Sequence, residues 1–276
     1  MRAQVTRRLV SALLTAMAFA TSLALMTTAS AEMTESESWK NLKKDVFAGR
    51  EITDGTGMMT LDAPIRAEDA AVVPLTIKMP GSFAANVKAM TIVVDQNPAP
   101  VVAAISYGSA AGKGDRMLAT RIRMDQYSDV RVIAETTDGK LYMISKYVKA
   151  SGGCSAPASK DAEEAAKTIG KMQIKTAIAK SSDGLAQEAQ IMIKHPNTSG
   201  MQMDQLTGLY TPARYVNKIE VKTGSNVVFT MTGNISISED PNFRFTYEGK
   251  PSDPMEVRAE DSNGTQFAGQ STSNPS

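Results

Sequence analysis

The chain contains one cysteine, Cys154, in the run Lys149-Ala150-Ser151-Gly152-Gly153-Cys154-Ser155-Ala156-Pro157-Ala158-Ser159. A thiol can act as a nucleophile, a redox group or an attachment point for covalent cargo, and its thiolate fraction sets which of these is feasible. A single cysteine excludes an internal disulfide. A lone cysteine is more often a small buried hydrophobe than a working thiol. Here the neighbours are small, no apolar side chain offers local cover, and two glycines loosen the backbone. The local sequence therefore predicts a thiol presented on a flexible arm made of Ser151, Gly152, Gly153 and Ser155. An ordinary thiol, with a pKa near 8.5, is roughly 3% ionised at pH 7. Lys149 and Lys160 flank the arm, and charges acting through solvent lower that pKa only weakly. The six residues from Val148 to Cys154 reach roughly 20 Å when extended. As a coil they span about 13 Å, enough to enter a partner's cleft as a hairpin.

The other candidate groups give little. A thiol enzyme would pair Cys154 with a base, and His195 is the only histidine. A glycine arm is the opposite of the fixed geometry such a dyad needs, so no catalytic residue is expected and His195-Pro196 is read as a strand end. One Cys and one His cannot close a zinc shell. Met58-Met59 and Met201-Gln202-Met203 invite a copper site, but methionine more often fills cores. Asp161-Ala162-Glu163-Glu164 is read as a solvated helix start, and Gly108–Gly114 lacks phosphate-loop spacing. No metal and no cofactor are expected.

The elements that must position the thiol follow from periodicity. Arg2, Arg7 and Arg8, an apolar core from Leu9 to Met26 and the small residues Ala29-Ser30-Ala31 predict a signal peptide over residues 1–31, and hence a periplasmic protein. Arg7-Arg8 leaves the route open between general and twin-arginine export. Removing that segment takes three arginines and no acids, so 30 Lys+Arg against 29 Asp+Glu becomes 27 against 29. That balance points neither to nucleic acid nor to a membrane surface. Thr34 to Glu37 resembles a capping box, and Trp39, Leu42, Val46 and Phe47 recur at helical spacing. From there the period becomes two, with strands expected at 72–79, 90–94, 101–107, 117–124, 130–136 and 141–148. After the cysteine a short helix within 160–171 precedes strands at 172–178, 188–194, 216–223, 226–231, 243–247 and 256–261. Turns at Thr137-Asp138-Gly139-Lys140, Thr223-Gly224-Ser225 and Asn263-Gly264 join several of them.

The expected fold is therefore all-β: two immunoglobulin-like antiparallel β-sandwich domains joined by a flexible cysteine-bearing linker. The first domain covers 32–150, the arm and linker 151–171, the second domain 172–269, and a disordered tail 270–276. The two halves are expected to pack together, through a surface that face alternation does not locate.

Several spaced motifs in the first half resemble SoxY, the carrier subunit of a periplasmic sulfur-oxidation system. They are Trp39, Asp45-Val46-Phe47, Ala63-Pro64, Ala67 to Ala70, Val73-Pro74, Asp95 to Pro100, Arg121-Ile122-Arg123 and Gly152-Gly153-Cys154. The second half resembles SoxZ, its partner, in His195-Pro196, Gly200, Pro212-Ala213-Arg214-Tyr215, Ile235 to Pro241 and Phe243-Arg244-Phe245. The whole is similar to fused SoxYZ-like carriers that accompany quinoprotein dehydrogenases. The resemblance implies a carrier and not an enzyme, with a sulfur intermediate held covalently on Cys154. It implies sulfur-oxidation-type enzymes or a quinoprotein dehydrogenase system as partners. Ser155 and Ala156 depart from the family, which has trailing glycines, and the cysteine lies inside a loop instead of at a free end. An exposed thiol of this kind could also link two copies through a Cys154 disulfide. The rival reading is a non-covalent binding or assembly module for a periplasmic dehydrogenase, with the thiol incidental.

Overall fold

The computed structural model describes residues 36–158, 162–179, 186–204 and 207–271. The expected signal peptide, Thr34 of the capping box, Lys160, Asp161 and residues 272–276 of the tail lie outside them. From Glu37 onward the chain forms one compact unit.

Fifteen strands among the described residues form two sheets. In the first half these are β1 (Ile52–Asp54), β2 (Thr60–Asp62), β3 (Val73–Met79), β4 (Val87–Val94), β5 (Val101–Tyr107), β6 (Arg116–Ile122), β7 (Ser128–Thr136) and β8 (Leu141–Val148). In the second half they are β9 (Met172–Ile178), β10 (Ala186–Ile193), β11 (Val216–Thr223), β12 (Asn226–Gly233), β13 (Asn242–Glu248), β14 (Met255–Asp261) and β15 (Gln266–Gln270). The larger sheet has the order β1-β8-β7-β4-β5-β12-β11-β14-β15 and the smaller β2-β3-β6-β13-β10-β9. All pairings are antiparallel except β1 with β8. Each half thus contributes strands to both layers, as a sandwich does.

The junction is where the structure adds most to the sequence. β5 pairs with β12, from Tyr107 opposite Phe229 to Ala103 opposite Gly233. β6 meets β13 in the other layer, with Ala119 opposite Arg244 and Leu118 opposite Phe245. Both layers therefore run unbroken through both halves, and the halves join by backbone hydrogen bonds at their edges, not only through a linker. This arrangement also removes four sheet edges that would otherwise be exposed. Inside, one apolar core reaches from Val73, Leu75 and Met90 to Ile191, Val221 and Phe243. Phe229 and Phe245 meet edge to face across the layers at 5.0 Å near the junction. β6 alternates as a strand with one face on the core does: Leu118, Thr120 and Ile122 are buried while Met117, Ala119 and Arg121 are half-buried.

Among the described residues three α-helices lie outside the sheets: α1 (Glu37–Phe47), α2 (Gly81–Ala84) and α3 (Ala162–Thr168). α1 buries Trp39 and Phe47 against Val93, Ile133 and Leu141, on the outer face of the larger sheet. Arg131 stacks 4.4 Å from the Trp39 ring centre and clasps Asp95 through Nε and Nη2, the latter at 2.8 Å. A nearly buried ion pair that is also hydrogen-bonded keeps its alignment, so this pair fixes the helix on the sheet. α2, β1, β2 and β15 escaped the periodicity reading. Gln270, expected to start a disordered tail, instead pairs with Glu256 at the end of β15.

Candidate functional site at the junction of the halves

The cysteine segment leaves β8 and is held at once. Lys149 N donates to Ile65 O at 2.9 Å, and Ala67 N donates to Lys149 O at 3.2 Å. Gly152 N and Gly153 N then donate to Asp125 O and Met124 O at 2.9 and 2.8 Å. The segment therefore runs between the stretch before β3 and the stretch after β6, as an added strip of backbone.

The expectation of an exposed, flexible arm is overturned here. Cys154 is 0% exposed, and Gly153 is buried beside it, while Ser151, Gly152 and Ser155 remain at the surface. The glycines serve docking and not looseness. Gly152 sits at φ +81°, a conformation that suits glycine. Gly153 lies so close to Ala70 that a Cβ there would stand 2.0 Å from the Ala70 carbonyl oxygen and 2.4 Å from its carbon. Ser155 Oγ closes the turn by donating to Gly152 O at 3.2 Å. Local sequence had no means of showing this, because the cover comes from residues distant in the chain.

That cover is supplied from both halves. Arg123 Nη1 donates to Gly153 O at 3.0 Å, and its Nη2 points to Asn197 O at 3.4 Å. Asn97 holds the Arg123 backbone: its Nδ2 donates to Arg123 O at 2.8 Å and its Oδ1 accepts from Asp125 N at 2.9 Å. Ser236 O accepts from Arg123 N at 2.7 Å. From the second half, Ser199 Oγ donates to the Cys154 carbonyl, and Gln202 Nε2 donates to Ala156 O at 3.1 Å. Gln202 Oε1 in turn accepts from Ser199 N at 3.0 Å, so the two clamps brace each other.

Residues 43–154 match the family described as sulfur oxidation protein SoxY. Residues 174–272 match the family described as sulphur oxidation protein SoxZ. The chain belongs to the fused SoxYZ-like proteins. Cys154 is the last residue of the SoxY match, and the clamps Ser199 and Gln202 belong to the SoxZ match. The two families indicate a sulfur-oxidation carrier protein built of non-catalytic components. Among solved structures, the sulfur carrier protein SoxY from Chlorobium limicola f thiosulfatophilum is 25% identical with a TM-score of 0.33, over 41% of this chain and 90% of that one. No curated protein matches the chain.

Burial decides the electrostatics of this SoxYZ-like site. It pushes the Cys154 thiol up to about 11; the Asp125 charge adds to the rise and Arg123 opposes it. The thiol of the seated arm is therefore neutral and a poor nucleophile at neutral pH. His195, the one base available, is 2% exposed and is depressed by burial in spite of Asp261, whose Oδ2 lies 3.5 Å from Nε2. Its Nδ1 accepts from Asn197 N at 3.0 Å, and no hydrogen bond joins it to Cys154. His195 thus shapes the SoxZ loop that carries Asn197, and Asn197 in turn faces Arg123.

The flank beyond the cysteine is less tightly enclosed. Pro157 and Ala158 line a groove of about 610 Å³ together with Gln202, Met203, Arg214 and α3 residues Ala165 and Ala166. The seated arm consequently depends on its clamps more than on packing at this end. Replacing Ser199 and Gln202 together by Ala is expected to raise the alkylation rate of Cys154 by roughly tenfold or more, since each hydrogen bond contributes about 1 kcal/mol. An unchanged rate with iodoacetamide would show that these clamps do not hold the arm.

Proposed function

We propose that this SoxYZ-like protein is a periplasmic carrier that holds a sulfur-containing intermediate covalently on Cys154 and presents it to partner enzymes. The carrying observation is the place of Cys154. The lone cysteine ends the SoxY match and sits where both halves converge on it with dedicated polar contacts. Groups from both halves thus fix the backbone on either side of the cysteine.

The seat gives the carrier a resting form. With no cargo, the arm is docked, and the thiol is neutral and shielded from adventitious oxidation. Loading requires the turn at Gly152 and Gly153 to leave the groove beside Ala70, so that partner enzymes meet the thiol outside. Because both ends of the segment continue into the fold, the arm swings out as a loop. The sequence of residues 1–31 supports export to the periplasm, and the SoxY-before-SoxZ order supports a link to a quinoprotein dehydrogenase system. A Cys154 disulfide between two copies likewise requires the unseated arm.

The complete burial of Cys154 favours a second reading, in which the protein is a docking module for a periplasmic dehydrogenase and the thiol is inert. Replacement of Cys154 by Ser separates the two. A carrier loses the sulfur-oxidising activity of the reconstituted partner system entirely while its melting temperature changes little. A docking module keeps that activity.

A further inference from the structure

One buried titratable group has no part in carriage. His195 stands at the root of the loop, residues 197–202, whose Ser199 and Gln202 clamp the arm. Its side chain is fully buried, and its ring meets Phe267 of β15 edge to face at 6.1 Å. Nδ1 accepts from Asn197 N at 3.0 Å, which assigns the ring proton to Nε2. Nε2 has no hydrogen-bond partner, and Asp261 Oδ2 lies 3.5 Å away. The other charges around the imidazole are already engaged. Asp261, at the end of β14, accepts from Arg214 Nε at 2.8 Å and from the amides of Asn263 and Thr265 at 2.9 Å. Asp240, just before β13, takes Lys194 at 2.7 Å and His195 N at 3.1 Å. Arg123, just after β6, faces the loop from its other side, through the Asn197 carbonyl.

A second ring proton has to go to Nδ1, the nitrogen with the lone pair. Protonation and the hydrogen bond from Asn197 N therefore exclude each other. Asn197 is completely buried at φ +43°, with its side chain bonded to Val216 N and Ile237 O. An amide left there without an acceptor is costly and reaches water only if the loop moves. We infer that His195 is an acid-released latch on the seated arm: protonation at Nδ1 breaks the bond from Asn197, the 197–202 loop shifts, and Ser199 and Gln202 let go of Cys154 and Ala156. Burial holds His195 below its ordinary range; Asp261 opposes that effect and Arg214 adds to it. The closed seat thus favours the neutral imidazole. Its contribution is complete above the ordinary value near 6.5 and is lost as the pH falls below it. Cys154, pushed up to about 11, does not titrate in this range. Acid surroundings free the thiol and neutral ones keep it seated. The inference rests on the seat and not on carriage, since Cys154 serves only as its reporter.

The test measures how fast Cys154 reacts with dithiodipyridine between pH 8 and pH 5, divided by the rate of the guanidinium-denatured chain at the same pH. The ratio cancels the thiolate content of an exposed cysteine and reads the open fraction. Near-UV circular dichroism checks that the protein is folded at each pH. The ratio is expected to rise by roughly tenfold from pH 7.5 to pH 5.5. In His195→Asn, whose Oδ1 can take the bond from Asn197 N but binds no proton, it should stay level. A level wild-type ratio overturns the proposal, as does an equal rise in His195→Asn. His195 is the only histidine, so its ring C–H resonance reports its titration without overlap. The wild-type rise must level off at that midpoint, which decides the matter even if His195→Asn fails to fold; a rise that levels off elsewhere contradicts the latch. A failure here leaves the carrier reading standing, because that reading is lost only if Cys154 proves dispensable to the partner system.

Discussion

Cys154 in the folded protein is expected to react with iodoacetamide at least about a hundredfold more slowly than in the denatured chain at pH 7. Two effects act in the same direction. Burial and the Asp125 charge raise the thiol to about 11, so at pH 7 the seated form holds almost no thiolate. The sulfur is also 0% exposed, so the reagent reaches it only when the arm leaves its seat. The pH profile carries its own signature. The rate should climb tenfold per pH unit past pH 9, where a free thiol levels off, and flatten only near 11. The sign for stability follows, since the seat favours the protonated thiol. Its contribution is complete below pH 9 and is lost as the pH rises through about 11. A folded-state rate equal to that of the denatured chain would contradict the seated arm.

Gly153→Ala is expected to unseat the arm. The new Cβ would lie 2.0 Å from the Ala70 oxygen and 2.8 Å from the Met124 oxygen, and both are backbone atoms that cannot rotate away. The turn must therefore lift, giving up the Gly153-to-Met124 hydrogen bond at 2.8 Å and the Arg123-to-Gly153 contact at 3.0 Å. Overpacking of this kind costs about 1–3 kcal/mol. The larger effect is on the thiol, whose alkylation rate should rise by about a hundredfold towards the denatured value. Gly152→Ala is the useful control. Its Cβ would meet nothing within 4 Å, so only the φ of +81° opposes it, at about 1–2 kcal/mol. It should loosen the turn less than Gly153→Ala does. Equal thiol rates in wild type and Gly153→Ala would mean that close approach to Ala70 does not hold the segment.

These two expectations also show which parts of the molecule the sequence expresses. The strands were legible because runs such as Val73–Met79, Arg116–Ile122 and Met255–Asp261 alternate buried and more exposed positions along one pleat, a local property. Two layers per half follow from the number and spacing of such runs. The junction was not legible, because edge pairing of β5 with β12 uses backbone groups that every residue has. The short strands β1 and β2, of three residues each, lack the length in which a period can be seen.

At the site, Cys154 stood out by its uniqueness, but its environment was misread for a physical reason. Small residues around a thiol are consistent with freedom and equally with close docking, and only the partner surface decides between them. That surface is made of Ala70, Met124, Arg123, Ser199 and Gln202, which are scattered over more than a hundred positions. Arg123 and Asn97 lay within motifs that carried the family resemblance. Arg123 follows the last residue of β6 and is buried under the arm, a position that strand periodicity does not describe.

The most direct test of the carrier role is intact mass spectrometry of the protein purified from its native source during active growth, before and after reductant. A carrier shows a fraction with added mass on the Cys154 peptide that reductant removes, next to a bare-thiol fraction protected in the seated arm. Only bare thiol, in cells whose sulfur oxidation is running, would contradict covalent carriage on Cys154.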